Sequence, residues 1–248
     1  AAASSWGPLA RTVRAGALAI ELRGLDERLA ALVDSQYAGF VESQGAVFQG
    51  PRRGSLVDVL RSPAPRWLHL PREGRAEEAR VGARSDEAAI ELWSYGFASR
   101  FDRDGREARL YLCEGDDRET AQAVENHLRF FVAAAALSAG SFLLHSSGVA
   151  RGGKAWLFFG PSGAGKSTTA SNAPEGTELL GDDLVLVERG DEDAWCGCGV
   201  PFRGSHSRGP NSPTRAKVAM ACRVIQAEEN ALEEVSRSLQ VSELLAQV

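Results

Sequence analysis

The run Gly160-Pro161-Ser162-Gly163-Ala164-Gly165-Lys166-Ser167-Thr168 has the spacing G-x-x-x-x-G-K-[ST]. Glycines so placed let backbone N–H groups curl around phosphate oxygens, the lysine reaches the β- and γ-phosphates of a nucleotide, and the serine hydroxyl can ligand Mg²⁺. Only three lysines occur in the 248 residues, Lys154, Lys166 and Lys217, so a lysine at that spacing is informative. An acidic pair, Asp182-Asp183, begins sixteen residues after Lys166. Beside a phosphate site one such carboxylate can hold Mg²⁺, directly or through water, while the other accepts the proton of an incoming hydroxyl. The bland alternative is a turn made by Gly181-Asp182-Asp183. His145, twenty-one residues before Lys166, could contact a γ-phosphate or orient an aspartate, the alternative being a satisfied core histidine.

The elements that must position these groups follow from pattern. The apolar run Ala155 to Phe159 reads as a strand entering the loop, and the stretch after Ser167 as a helix that Pro174 stops within about two turns. Phe142 to Ala150 reads as a bent strand or strand pair carrying His145, and Arg151-Gly152-Gly153-Lys154 turns it into the strand that feeds the loop. Strands are also expected at Glu178 to Leu180, Leu184 to Val187 and Val218 to Ile225, with a turn at 190–193, a loop at Gly199 to Gly204 and a helix from about Val241.

Upstream, Thr120 is expected to cap a helix over Arg118 to Leu137 with an apolar face of Val124, Leu128, Phe131, Val132 and Ala135; His127 on it reads as a surface or packing residue. Before that comes a strand-rich lobe. It holds strand candidates at Ala17 to Leu22, Leu56 to Leu60, Arg66 to Leu70, Ala89 to Trp93 and Ala108 to Cys113, and a helix capped by Asp26. Turns are expected at 50–54 and at Asp102-Arg103-Asp104-Gly105, and the close spacing of short strands predicts an antiparallel sheet. The boundaries are therefore residues 1–117 for the lobe and 118–248 for a nucleotide-binding domain, a mixed α/β (α+β) chain.

A net charge of −5 argues against a broad nucleic-acid or anionic-membrane surface. No apolar stretch reaches transmembrane length, the longest candidate being Phe130 to Leu137, and the start has neither a basic segment nor an apolar signal core. Cys113, Cys196, Cys198 and Cys222 form no paired C-x-x-C knuckles and read as reduced thiols, which fits a cytoplasmic protein.

Three pieces together resemble a known family. Leu143-Leu144-His145-Ser146-Ser147-Gly148, the 160–168 run and Leu180-Gly181-Asp182-Asp183-Leu184 look like the catalytic domain of HPr kinase/phosphorylase and its shorter relatives, which share a nucleotide-binding core with ATP-dependent phosphoenolpyruvate carboxykinase. The resemblance spans roughly residues 118–248, with its specific part in 143–187, and includes the Gly199 to Phe202 piece. It implies a P-loop core in which Lys166 binds the β- and γ-phosphates, Ser167 ligands Mg²⁺, Asp182 deprotonates an acceptor serine, Asp183 sits near metal and phosphate, and His145 lies near the γ-phosphate. The family's later Arg/Gly-rich signature has no counterpart here; Arg203 and Arg208 are the nearest candidates for a phosphate-clamping arginine. The final helix stops where relatives usually continue, so a truncated or compact C-terminus is expected. The resulting expectation is an ATP- and Mg²⁺-dependent kinase acting on a serine of a small protein or peptide, compatible with a homo-oligomer. The alternative is a nucleotide-binding regulatory module without phosphotransfer. A carboxykinase acting on oxaloacetate does not suit so short a chain.

Overall fold

The computed structural model describes residues 3–42, 53–67, 81–191, 194–204, 210–229 and 231–248, and shows a mixed α/β chain of two compact units, Ala1–Ala139 and Gly140–Val248. The division falls after the long helix rather than at 117/118. That helix, α2 (Asp117–Ser138), buries Val124, Leu128, Phe131 and Val132 on the first unit's sheet, so it belongs with the lobe and not with the domain after it. Its N-cap is Asp116, whose side chain accepts from Glu119 N–H; Thr120 instead turns its hydroxyl back to the Asp116 carbonyl.

The first unit is built on a seven-stranded sheet: β1 (Leu9–Ala15), β2 (Leu18–Leu25), β3 (Arg53–Arg61), β4 (Gly82–Ser85), β5 (Ala89–Trp93), β6 (Phe97–Asp102) and β7 (Glu107–Leu112), in the order β1-β2-β3-β7-β6-β5-β4. The expectation of a purely antiparallel sheet is corrected: β3 lies parallel to both β2 and β7. The physical reason for the β2–β3 direction is the helix α1 (Glu27–Gln36, capped by Asp26), which returns the chain to the same end of the sheet before β3 begins, as parallel pairing requires. Alternation along the strands sends Ile20, Leu22, Val57, Val59, Leu110 and Phe101 to the face that α1 and α2 cover. β1, β4 and β6 are not among the expected strands; the β6–β7 hairpin turns at Asp102 to Gly105 as expected. Residues 50–52 of one expected turn and 68–70 of one expected strand lie outside the described residues, and Arg66 and Trp67 are not in a strand.

The second unit is a six-stranded sheet of β8 (Phe142–Arg151), β9 (Lys154–Phe159), β10 (Glu178–Gly181), β11 (Leu184–Arg189), β12 (Trp195–Cys198) and β13 (Arg215–Arg223). β8 is one continuous strand. It pairs with β11 and β10 along one edge and with β9 along the other, so the ring β8-β11-β12-β13-β9 closes on itself. Closure removes free edges and encloses Leu144, Ala150, Ala155, Leu157, Leu180, Val185, Val187 and Ala216 as a core. The helices α3 (Lys166–Ser171) and α4 (Arg237–Leu245) complete the unit. Cys196 and Cys198 are β12 residues; burial pushes their thiols up, and both are free. Among the described residues no helix is long and apolar enough to cross a membrane.

Candidate functional site

β9 ends at Phe159 and the chain turns at once. Gly160 adopts φ 141° with the carbonyl oxygen of Val224 so near that a Cβ would lie 2.7 Å from it. Gly163 and Gly165 take φ values of 79° and 105°, where L side chains are strained, and Gly165 is the residue on which α3 begins. Pro161 and Ser162 are exposed at the tip, Ala164 is buried, and Thr168 is exposed on the first helical turn. The end of β13 braces the loop: Val224 N–H donates to Phe159 O at 2.7 Å and Gln226 Nε2 to Gly163 O at 2.9 Å. Lys166, only 8% exposed, folds back so that Nζ donates to Gly160 O at 2.8 Å and Pro161 O at 3.2 Å. The ammonium is thus held over the carbonyls of its own loop.

The acidic pair occupies the tight connection between β10 and β11. Gly181 is needed there because a Cβ would fall 2.0 Å from the Leu184 carbonyl oxygen. Asp182 is buried, and three separate segments converge on it. Ser167 Oγ donates to its carbonyl oxygen at 3.2 Å, Ser147 Oγ to the same oxygen at 3.1 Å, and Gly204 N–H to its Oδ1 at 2.9 Å. Its Oδ2 has no donor among the described residues. Asp183 places Oδ1 3.6 Å from Nε2 of the half-exposed His145. His145 pairs in register with Leu184, and its N–H donates to Gln247 O at 2.8 Å. Pairing of β8 with β11 therefore brings His145 to Asp183, and the loop–helix junction brings Ser167 to Asp182.

Three contributors escape a reading by residue type. Ser147 and Gly204 lie inside segments that the sequence singles out, but their contacts with Asp182 depend on β8 and on the 199–204 loop arriving from either side. Asn211 has no sequence signal at all. It is buried, and its Nδ2 donates to Val200 O at 2.9 Å and Phe202 O at 2.8 Å, which anchors the loop that delivers Gly204 N–H. Phe202 is fully buried below that loop. Arg203 flanks Gly204, Arg208 lies outside the described residues, and so do residues 192–193 of the expected turn. Among the described residues no group of three or more His, Cys, Asp or Glu side chains is placed to hold a metal by itself.

What is assembled is a glycine loop with a buried lysine, a hydroxyl at the first helical turn, and two carboxylates presented differently, one buried and hydrogen-bonded, one beside an imidazole. No protein-family model matches the chain, and no curated protein matches it significantly.

Proposed function

We propose that this chain is a kinase of the HPr kinase type, transferring the γ-phosphoryl group of ATP, with Mg²⁺, to a hydroxyl, a serine of a small protein or peptide. The observation that carries the reading is the convergence of Ser167, Ser147 and Gly204 on Asp182, immediately beside the loop that holds Lys166. A carboxylate tied on one oxygen and open on the other is the arrangement a general base needs.

The residues present fit ATP and Mg²⁺. The glycines at 160, 163 and 165 hold backbone shapes that a side chain would strain, and at Gly163 a Cβ would meet nothing within 4 Å, so the loop is open above it. A nucleotide-borne Mg²⁺ keeps most of its ligands from water and phosphate, so the few protein donors here, Ser167 Oγ and the Asp183 carboxylate, suffice. When bound, ATP supplies the phosphoryl group and Mg²⁺ neutralises its charge.

Lys166 leaves the carbonyls of Gly160 and Pro161 for the β- and γ-phosphate oxygens. Asp182 Oδ2 takes the proton of the acceptor hydroxyl as its oxygen bonds to the γ-phosphorus, the bond to the β-phosphate oxygen breaks, and ADP departs with that electron pair. His145 and Asp183 stand 3.6 Å apart, where the imidazole can orient the carboxylate or meet a γ-phosphate oxygen.

The test is titration calorimetry with ATP and Mg²⁺ together with an ADP-release assay over a panel of serine-containing peptides and small proteins. Asp182→Asn should keep ATP affinity and lose transfer by about 10³-fold or more. Lys166→Ala should weaken binding and abolish transfer. Full turnover by either variant sinks the kinase assignment; tight ATP binding with no turnover on any acceptor makes the chain a nucleotide-binding regulatory module.

A further inference from the structure

Among the described residues the first unit's sheet has helices on one face only, and its other face forms an open groove of about 820 Å³ that includes Asp58, Arg109, Arg100, Glu91 and Arg84. Register places these side by side in one row across the sheet. Arg23 on β2 opposes Asp58 on β3, which opposes Arg109 on β7, which opposes Arg100 on β6, then Glu91 on β5 and Arg84 on β4. The signs alternate along this row except at one step, where Arg109 and Arg100 stand directly opposite each other.

Like charges directly opposed on neighbouring strands are unfavourable. Arg100 shares Glu91 with Arg84, at 2.6 Å for each arginine, so the carboxylate it reaches is already divided. The Arg109 side chain has no hydrogen bond or ion pair among the described residues and is exposed. The break in the charge ladder is therefore a place where an anionic group from outside would complete the alternation.

The next row along the strands gives the second half of a site. Two residues on from Arg109 is Tyr111, two before Arg100 is Ala98, and two on from Glu91 is Trp93, with Tyr111 opposing Ala98 and Ala98 opposing Trp93. Ala98 is a small residue between two aromatic ones, and Trp67 lines the same groove. The Trp93 indole is held against β4 because position 82 is glycine; a Cβ there would lie 2.4 Å from it. Rows two residues apart are about 6.8 Å from each other, the same spacing as side chains i and i+2 of an extended peptide.

We infer that this groove binds an extended peptide segment carrying an acidic residue and an apolar residue at i and i+2, the carboxylate between Arg109 and Arg100 and the apolar side chain over Ala98. Asp58, Asp102 and Glu107 in the same groove repel a continuous polyanion, so a peptide with isolated acidic residues fits it and a nucleic-acid backbone does not. The site lies wholly within the first unit and involves none of the residues around Lys166, so it stands whether or not the chain is a kinase.

The test is fluorescence anisotropy on the full chain without nucleotide, using a labelled peptide of Glu-Ser-Leu repeats. The comparison ligands are Gln-Ser-Leu and Glu-Ser-Ser repeats and a labelled oligouridylate. The Glu-Ser-Leu peptide should bind, weaken at about 0.5 M salt, and exceed each comparison ligand at least tenfold. Arg109→Gln and, separately, Ala98→Leu should each weaken it at least tenfold with the circular dichroism spectrum unchanged, while Arg118→Gln on α2 should not alter it. Absence of binding, equal binding of the Gln-Ser-Leu peptide or of oligouridylate, or wild-type affinity in a folded Arg109→Gln variant overturns the inference.

Discussion

The Asp182 carboxylate is held by a single backbone donor among the described residues, Gly204 N–H, 2.9 Å from Oδ1. A side chain at position 204 would press on the same group, since its Cβ would stand 2.8 Å from Oδ2. Gly204→Ala is therefore expected to displace the proposed base without touching the phosphate loop. Reaction geometry disturbed by about 1 Å costs up to about 100-fold. The expected outcome is turnover lowered by about 10- to 100-fold with ATP affinity within about twofold of wild type, measured by steady-state transfer and calorimetry; an equal loss of both would mean that the loop, not the base, had moved. Residue type and spacing alone make Lys166, Ser167, Asp182, Asp183 and His145 legible, because ammonium, hydroxyl, carboxylate and imidazole are scarce chemistries at informative intervals. Gly204 is not legible in the same way. Its contribution is a backbone N–H, which every residue but proline carries, and the contact spans twenty-two positions of sequence. Asn211 is hidden for a related reason: its amide serves the carbonyls of a loop, and a lone asparagine between Pro210 and Ser212 reads as one more turn residue.

At the level of elements, periodicity finds α2 almost in full because its apolar face repeats for six turns, whereas its first residue depends on a choice between two cap-forming side chains. Asp116 and Thr120 both suit the task; the fold selects Asp116, whose carboxylate meets Glu119 N–H, and leaves the Thr120 hydroxyl bonded to the Asp116 carbonyl. Asp116→Ala should accordingly destabilise the first unit by about 1 kcal/mol, read by chemical denaturation, and Asp116→Asn should recover most of that loss. Parallel pairing of β3 is beyond the reach of local pattern, because direction is set by where the chain re-enters the sheet after α1 and not by the residues of the strand. β4 and β12 are not among the expected strands; each has four residues and contains a glycine, Gly82 in the one and Gly197 in the other. In the folded chain the glycines serve close approach: Trp93 lies against Gly82, and Ala155, Leu157 and Leu180 crowd Gly197.

For the whole molecule, the division after Ala139 assigns His127 to the core of the first unit. The imidazole is fully buried, stacked on Phe131 with ring centroids 5.5 Å apart and edge-on to Phe101, and neither ring nitrogen has a partner among the described residues. Burial alone lowers its pKa from the ordinary 6.5 to about 3. Folding therefore requires the neutral ring, while the unfolded chain takes up a proton once the pH drops below about 6.5. The stabilisation is complete above that pH, declines as pH falls from 6.5 toward 3, and changes no further below. Between pH 7 and pH 5 the loss amounts to about 2 kcal/mol. Because the group belongs to one unit, hydrogen exchange followed by mass spectrometry should show amides of β6, β7 and α2 losing protection over that interval while those of β8, β9 and β11 hold theirs. His127→Phe, which keeps the aromatic packing and removes the titrating group, should make the first unit's protection independent of pH over the same range; a slope that persists in this variant would assign the effect to another residue.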